Sequence, residues 1–178
     1  MARYVAFLRA VNVGGRTVKM AALRDLFAEL GFANVETFIA SGNVIFEAKP
    51  SNAGALEKKI EAHLARALAY EIPVFLRTAA ELAVIGAHRP FDGERFRSAQ
   101  AFNIGFYKQP LSPAAIAAVV ALATPMDDFH IHGRELYWLC REKQSDSTFS
   151  NNRFERAIQG VATLRGARTV EKLAAKYS

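Results

Sequence analysis

The chain is poor in the residues that usually announce a chemistry. One of its 178 residues is a cysteine, so no internal disulfide can form, which agrees with a reducing compartment. No apolar run approaches the roughly 20 residues that a membrane helix needs. The opening Met1-Ala2-Arg3-Tyr4 enters strand-like sequence without a signal-peptide pattern. The expectation is a cytoplasmic protein with no membrane partner. Acidic residues are outnumbered, 17 against 23 basic ones, for a net charge of +6. The excess gathers near the end, where residues 153–178 hold Arg153, Arg156, Arg165, Arg168, Lys172 and Lys176 against Glu155 and Glu171. Such a surface favours phosphate-bearing partners, although an ordinary solvated basic face has the same composition. What is plentiful is apolar: 51% of the residues are hydrophobic, which excludes disorder and supplies a core for one domain or two small lobes.

The hydrophobic pattern sets out alternating elements. Residues 4–11 form a short apolar run ending in glycines, as a central strand does. Residues 20–30 place Leu23, Leu26, Phe27 and Leu30 at helical spacing and stop at Gly31. Two β-rich runs, 35–39 and 44–47, flank Ser41-Gly42-Asn43 and predict a hairpin. Leu56, Ile60, Leu64 and Leu68 mark a second helix, and 72–76 reads as a strand. The order β-α-β-β-α-β is that of a ferredoxin-like lobe, here residues 1–78.

Residues 79–99 read as a connecting helix and loop broken by Pro90, Asp92 and Gly93. The order then restarts in a second lobe, 100–178: a strand over 101–108, a helix over 113–123, a hairpin from 128–132 and 135–141, and a helix over 154–158. Phe129 and Gly133 superpose on Phe38 and Gly42, which points to duplication. The second copy reads as incomplete, because residues 169–177 look helical where a last strand would stand. The expected fold class is therefore α+β: duplicated ferredoxin-like β-α-β-β-α-β lobes with a C-terminal helical extension.

The first strand-to-helix connection carries the strongest chemical signal, Arg9-Ala10-Val11-Asn12-Val13-Gly14-Gly15-Arg16-Thr17-Val18-Lys19. Paired glycines reach φ > 0 and expose N–H groups, and Arg9, Arg16 and Lys19 add positive charge. The second copy connects the equivalent elements through a shorter loop, so the fold does not require the longer one. In a β-α-β-β-α-β unit the first two strands run parallel, which brings this loop and the Ser41-Gly42-Asn43 turn to one end of the sheet. Ser41 and Asn43 then add side-chain hydrogen-bonding groups.

Other chemistries are thinner. The glycine pair fits neither G-x-x-x-x-G-K-[ST] nor G-x-G-x-x-G, which sets aside the usual nucleotide-binding loops. His130 and His132 share a strand face, but no third ligand is identifiable from the sequence, so neither metal nor cofactor is read. Cys140 alternates with Leu136 and Trp138 on one face, as a buried thiol does. The third strand lacks the basic-glycine-aromatic run of an RNA-recognition sheet, and Tyr4, Phe7, Phe46, Phe102 and Tyr107 read as core.

At these residues the chain resembles the bacterial family known as domain of unknown function 1697. Its members share Leu-Arg-Gly-Ile-Asn-Val-Gly-Gly after an opening strand, a Ser-Gly-Asn hairpin turn, and a late Thr-x-Arg-Asn stretch. Here these are Leu8-Arg9-Ala10-Val11-Asn12-Val13-Gly14-Gly15, Ser41-Gly42-Asn43 and Thr163-Leu164-Arg165-Gly166. Gly166 replaces the usual Asn, and Ala10 replaces a usual Gly, a change compatible with extended backbone. The resemblance implies two packed ferredoxin-like lobes and no assigned activity.

The expected function is binding of a small anionic or phosphorylated ligand by Arg9, Asn12, Gly14, Gly15, Arg16, Lys19, Ser41 and Asn43, with Thr163 and Arg165 closing the site from the basic tail. An enzyme acting on a phosphoester or acyl substrate, and a nucleic-acid-binding protein, are the two alternatives.

Overall fold

A computed structural model describes residues 1–12, 14–39 and 42–178. Val13, Ala40 and Ser41 lie outside the described residues. The fold is mixed α+β: two four-stranded antiparallel sheets, each with flanking helices. One unit comprises Met1–Ala83 with Leu173–Ser178, and the other Val84–Lys172.

In the first unit the strands are β1 (Ala2–Leu8), β2 (Ala33–Thr37), β3 (Asn43–Ala48) and β4 (Val74–Thr78), ordered β2-β3-β1-β4. The helices α1 (Met20–Glu29) and α2 (Ala53–Leu68) carry Leu23, Phe27, Leu56, Ile60 and Leu64 into a core with Tyr4, Ala6, Leu8, Val44 and Phe46. Phe46 is its centre, stacked against Phe32 at 4.4 Å and tilted against Phe27 at 5.5 Å. β4 is an edge strand, and α2 covers part of that edge: Val74 N–H donates to Glu61 Oε1 at 2.8 Å and Leu76 N–H to Glu57 Oε1 at 2.9 Å. Satisfying edge donors in this way removes a template for pairing with another chain.

The second unit repeats the connectivity with β5 (Ala101–Phe106), β6 (Asp127–His132), β7 (Glu135–Cys140) and β8 (Thr163–Gly166), ordered β6-β7-β5-β8. The helices α3 (Ala79–Ala87) and α4 (Gly93–Ser98) precede β5, and α5 (Pro113–Val120), α6 (Asn151–Ile158) and α7 (Ala167–Tyr177) follow β5, β7 and β8 in turn. Ser112 and Ser150 cap α5 and α6 through their side chains. Trp138, Phe149 and Phe154 form the core, and Asp127 anchors it by accepting from Trp138 Nε1 at 2.8 Å, Ser147 Oγ at 2.9 Å and Thr124 Oγ1 at 3.0 Å.

The last strand corrects the reading of an incomplete second copy. β8 pairs with β5 from Phe106↔Thr163 to Asn103↔Gly166 and passes directly into α7. It is four residues long and contains an arginine, too short and too polar to show alternation. No helix among the described residues is long and apolar enough to cross a membrane.

Candidate functional site

The β1–α1 connection is tied down before it reaches the glycines. Leu8 N–H donates to Gly42 O at 2.9 Å and Arg9 N–H to Pro73 O at 3.0 Å, so the strand end is held from both sides. Ala10 then takes φ +56°, the left-handed region, where the sequence reading allowed an extended conformation. That conformation costs an L-residue about 1–2 kcal/mol and accounts physically for glycine in the family motif. Val18 N–H donates to Asn12 Oδ1 at 2.8 Å, closing the loop on itself. Tyr70 donates its hydroxyl to Val11 O at 3.4 Å, and the Arg16 guanidinium lies over the Tyr70 ring at 4.4 Å.

Within this frame Gly14 and Gly15 stand at φ +66° and +81°, with open space where a Cβ would project. Arg16 and Lys19 are exposed, and Arg9 is half-buried. Lys19 is the N-cap of α1, whose start has neither a side-chain cap nor an acidic residue in its first turn. Its first N–H groups are therefore not neutralised by local side chains, and the helix dipole leaves positive potential there.

Of the expected neighbourhood, Gly42 of the turn lies against the start of the loop, at Leu8 and Val11. It has φ +79°, and a Cβ on it would come within 3.0 Å of Val11 Cγ2 and 3.3 Å of Leu8 Cβ. Asn43 is fully buried, donating from Nδ2 to Phe38 O at 2.9 Å while its carbonyl accepts from Phe38 N–H at 3.0 Å. Asn12 and Asn43 thus hold the two segments in shape, while Gly14, Gly15, Arg16 and Lys19 face solvent. Ser41 falls outside the described residues. Thr163 and Arg165 belong to the second unit, where they occupy β8 instead of a tail. Arg165 donates to Thr163 Oγ1 at 2.8 Å and Leu164 O at 2.9 Å, and burial lowers its pKa to about 10.

The second unit contains a cleft of about 740 Å³ that the sequence did not reveal. Arg89 and Arg168 meet Phe96, Phe102, Asn103 and Gln144 in its lining, where β8 turns into α7 at Gly166 and Ala167. The Arg89 guanidinium lies 5.3 Å from the Phe96 ring and 5.8 Å from that of Phe102, and pairs with Glu171. These residues come from five separated segments, so no local motif marks them.

The same unit supplies the third imidazole that the sequence could not identify. His88 follows α3 and joins His130 and His132 of β6, with donor atoms all within 4.8 Å of one another. Burial, then the neighbouring His132 and His130 and the Arg89 charge, push the His88 pKa down. Burial and His132 do the same to His130. Cys140 is fully buried, and burial raises its pKa, so its thiol is held away from the reactive thiolate form. Tyr4, Phe7, Phe46 and Tyr107 are also buried, which removes them as a base-stacking platform.

No curated protein matches the chain. Its structure is similar to that of conserved bacterial protein SP0830 from Streptococcus pneumoniae, with a TM-score of 0.77 and 24% identity over 99% of each chain, a likeness of fold. A family model matches residues 1–137. The chain belongs to the family described as protein of unknown function, DUF1697.

Proposed function

We propose that this protein binds a small anionic ligand at the glycine corner of its first unit. The observation that carries the reading is the run from Gly14 and Gly15, both left-handed and unobstructed, to an α1 start without a cap or an acidic residue, with Arg16 and Lys19 alongside. Backbone donors, a helix N-terminus and cations are the groups that hold an oxyanion. The loop is clamped by Asn12, Gly42, Pro73 and Tyr70, so little ordering is left for the ligand to impose.

The cleft of the second unit supports a second placement for the same ligand class, favoured by its concave shape, its two arginines and its aromatic walls. Such a site suits an anion carrying a ring. The two units further read as ferredoxin-like copies of one ancestral unit, supported by their common strand order and by left-handed Gly42 and Gly133 at equivalent hairpins. A cytoplasmic location agrees with the single buried thiol.

Thermal shift with a panel of nucleotides and phospho-metabolites tests the assignment. At a hundredfold excess over Kd a ligand adds about 2.7 kcal/mol, or roughly 5–10 °C for a chain of this length. The Arg16→Ala/Lys19→Ala variant is expected to lose the shift and Arg168→Ala to keep it. The reverse pattern assigns the ligand to the cleft.

A further inference from the structure

Three of the four histidines in the chain meet at one place in the second unit. We propose that His88, His130 and His132 form a binding site for a divalent transition-metal ion, held by three imidazole nitrogens with water completing the coordination. The site is independent of the anion corner, which lies in the other unit.

Strand geometry accounts for two of the ligands. His130 and His132 are two apart on β6 and so project from one face, in register with Tyr137 and Glu135 of β7. The turn after α3 brings in the third: His88 N–H donates to Ile85 O at 3.3 Å, and Arg89 Nη1 donates to Gly86 O at 2.8 Å and His88 O at 3.0 Å. The His88 ring stacks on His132 at 4.6 Å and lies 5.9 Å from His130.

A second observation shows that the cluster is unfinished as a purely structural one. Nε2 of His88 is buried and has no hydrogen-bond partner among the described residues. A buried polar atom in a folded core ordinarily finds a partner, and the rings in contact with His88 are two further imidazoles and that of Tyr137. A metal ion supplies what the site lacks.

The distances fit an ion after small ring movements. The donor atoms lie within 4.8 Å of one another. A tetrahedral zinc with bonds of about 2.1 Å sets its nitrogens roughly 3.4 Å apart. His132 is exposed, and its side leaves the site open to solvent for metal access and a water ligand. Three imidazoles with no carboxylate or thiolate among them select zinc, cobalt, nickel or copper over magnesium and calcium.

The test titrates the full chain, stripped with chelator, with zinc, cobalt and nickel chlorides by calorimetry, following cobalt also by its visible absorption. One ion per chain is expected. His88→Ala and His130→Ala should each weaken binding about tenfold or more. His63→Ala, which removes the one histidine outside the cluster, should leave it unchanged. Imidazole nitrogen NMR of the unmutated protein keeps the test independent of variant folding: zinc should move the signals of His88, His130 and His132 together and leave His63 in place. Absence of binding by the wild type, wild-type affinity in either cluster variant, or zinc shifts that omit His88 would overturn the proposal.

Discussion

Replacing Ala10 with glycine should stabilise this protein, against the usual rule that glycine weakens a structured segment. Ala10 has φ +56° and is exposed, so removing its methyl group forfeits no core packing. The left-handed conformation costs an L-residue about 1–2 kcal/mol that glycine does not incur. Against this, glycine gives the unfolded chain extra freedom worth about 0.4–1 kcal/mol. The net gain is about 0.5–1 kcal/mol, which for a chain of this length raises Tm by roughly 1–4 °C. Gly14→Ala and Gly15→Ala should shift stability the other way by about 1 kcal/mol each, through φ alone, because among the described residues, chain neighbours aside, no atom lies within 4 Å of the added Cβ. Calorimetric melts of the three variants and the wild type provide the measurement. A lower Tm for Ala10→Gly, together with unchanged melting for Gly14→Ala and Gly15→Ala, would refute a left-handed loop and with it the outward presentation of its N–H groups.

Three further outcomes follow from the same physics. Gly42→Ala places a methyl group 3.0 Å from Val11 Cγ2 at φ +79° and should cost about 2–4 kcal/mol, read as a Tm loss of roughly 5–15 °C. Asp127→Ala leaves the buried Trp138 indole N–H and the Ser147 and Thr124 hydroxyls without their acceptor, a loss of about 3–5 kcal/mol. The single tryptophan reports it in a urea titration by fluorescence, and Asp127→Asn, which keeps one acceptor oxygen, should lose less. The Tyr177 hydroxyl at 2.7 Å, and then Lys176 at 3.3 Å, hold the Glu36 carboxyl below its ordinary pKa. A carboxyl with a lowered folded pKa contributes stability that is present above its unfolded pKa and lost as pH falls through the folded one. Melting curves taken downward from about pH 5 should therefore decline less steeply for Glu36→Gln than for the wild type.

The sequence made most of the fold legible because the apolar spacing of each long element is unambiguous. Leu56, Ile60 and Leu64 all reach the core of the first unit, and the hairpins around Gly42 and Gly133 stand where their turn residues put them. β8 escaped because Thr163-Leu164-Arg165-Gly166 gains its strand identity from β5 and has none of its own. In the candidate site, the sequence indicated the glycines and cations but not the division of labour: nothing local distinguishes an asparagine that closes a loop, as Asn12 does, from one that faces a ligand. Ala10 was misread for the same reason, since alanine gives no signal of a positive φ. The arginine cleft and the position of His88 beside His130 and His132 are products of tertiary packing, and no spacing along the chain encodes them.

The anion corner is tested most directly by amide NMR of the unmutated protein, titrated with inorganic phosphate, pyrophosphate and the strongest stabilising compound of the thermal panel. Saturable shifts should concentrate on the N–H groups of Gly14, Gly15 and the first turn of α1. Shifts confined to Gly166, Ala167 and Arg168, or none at all, would contradict the assignment.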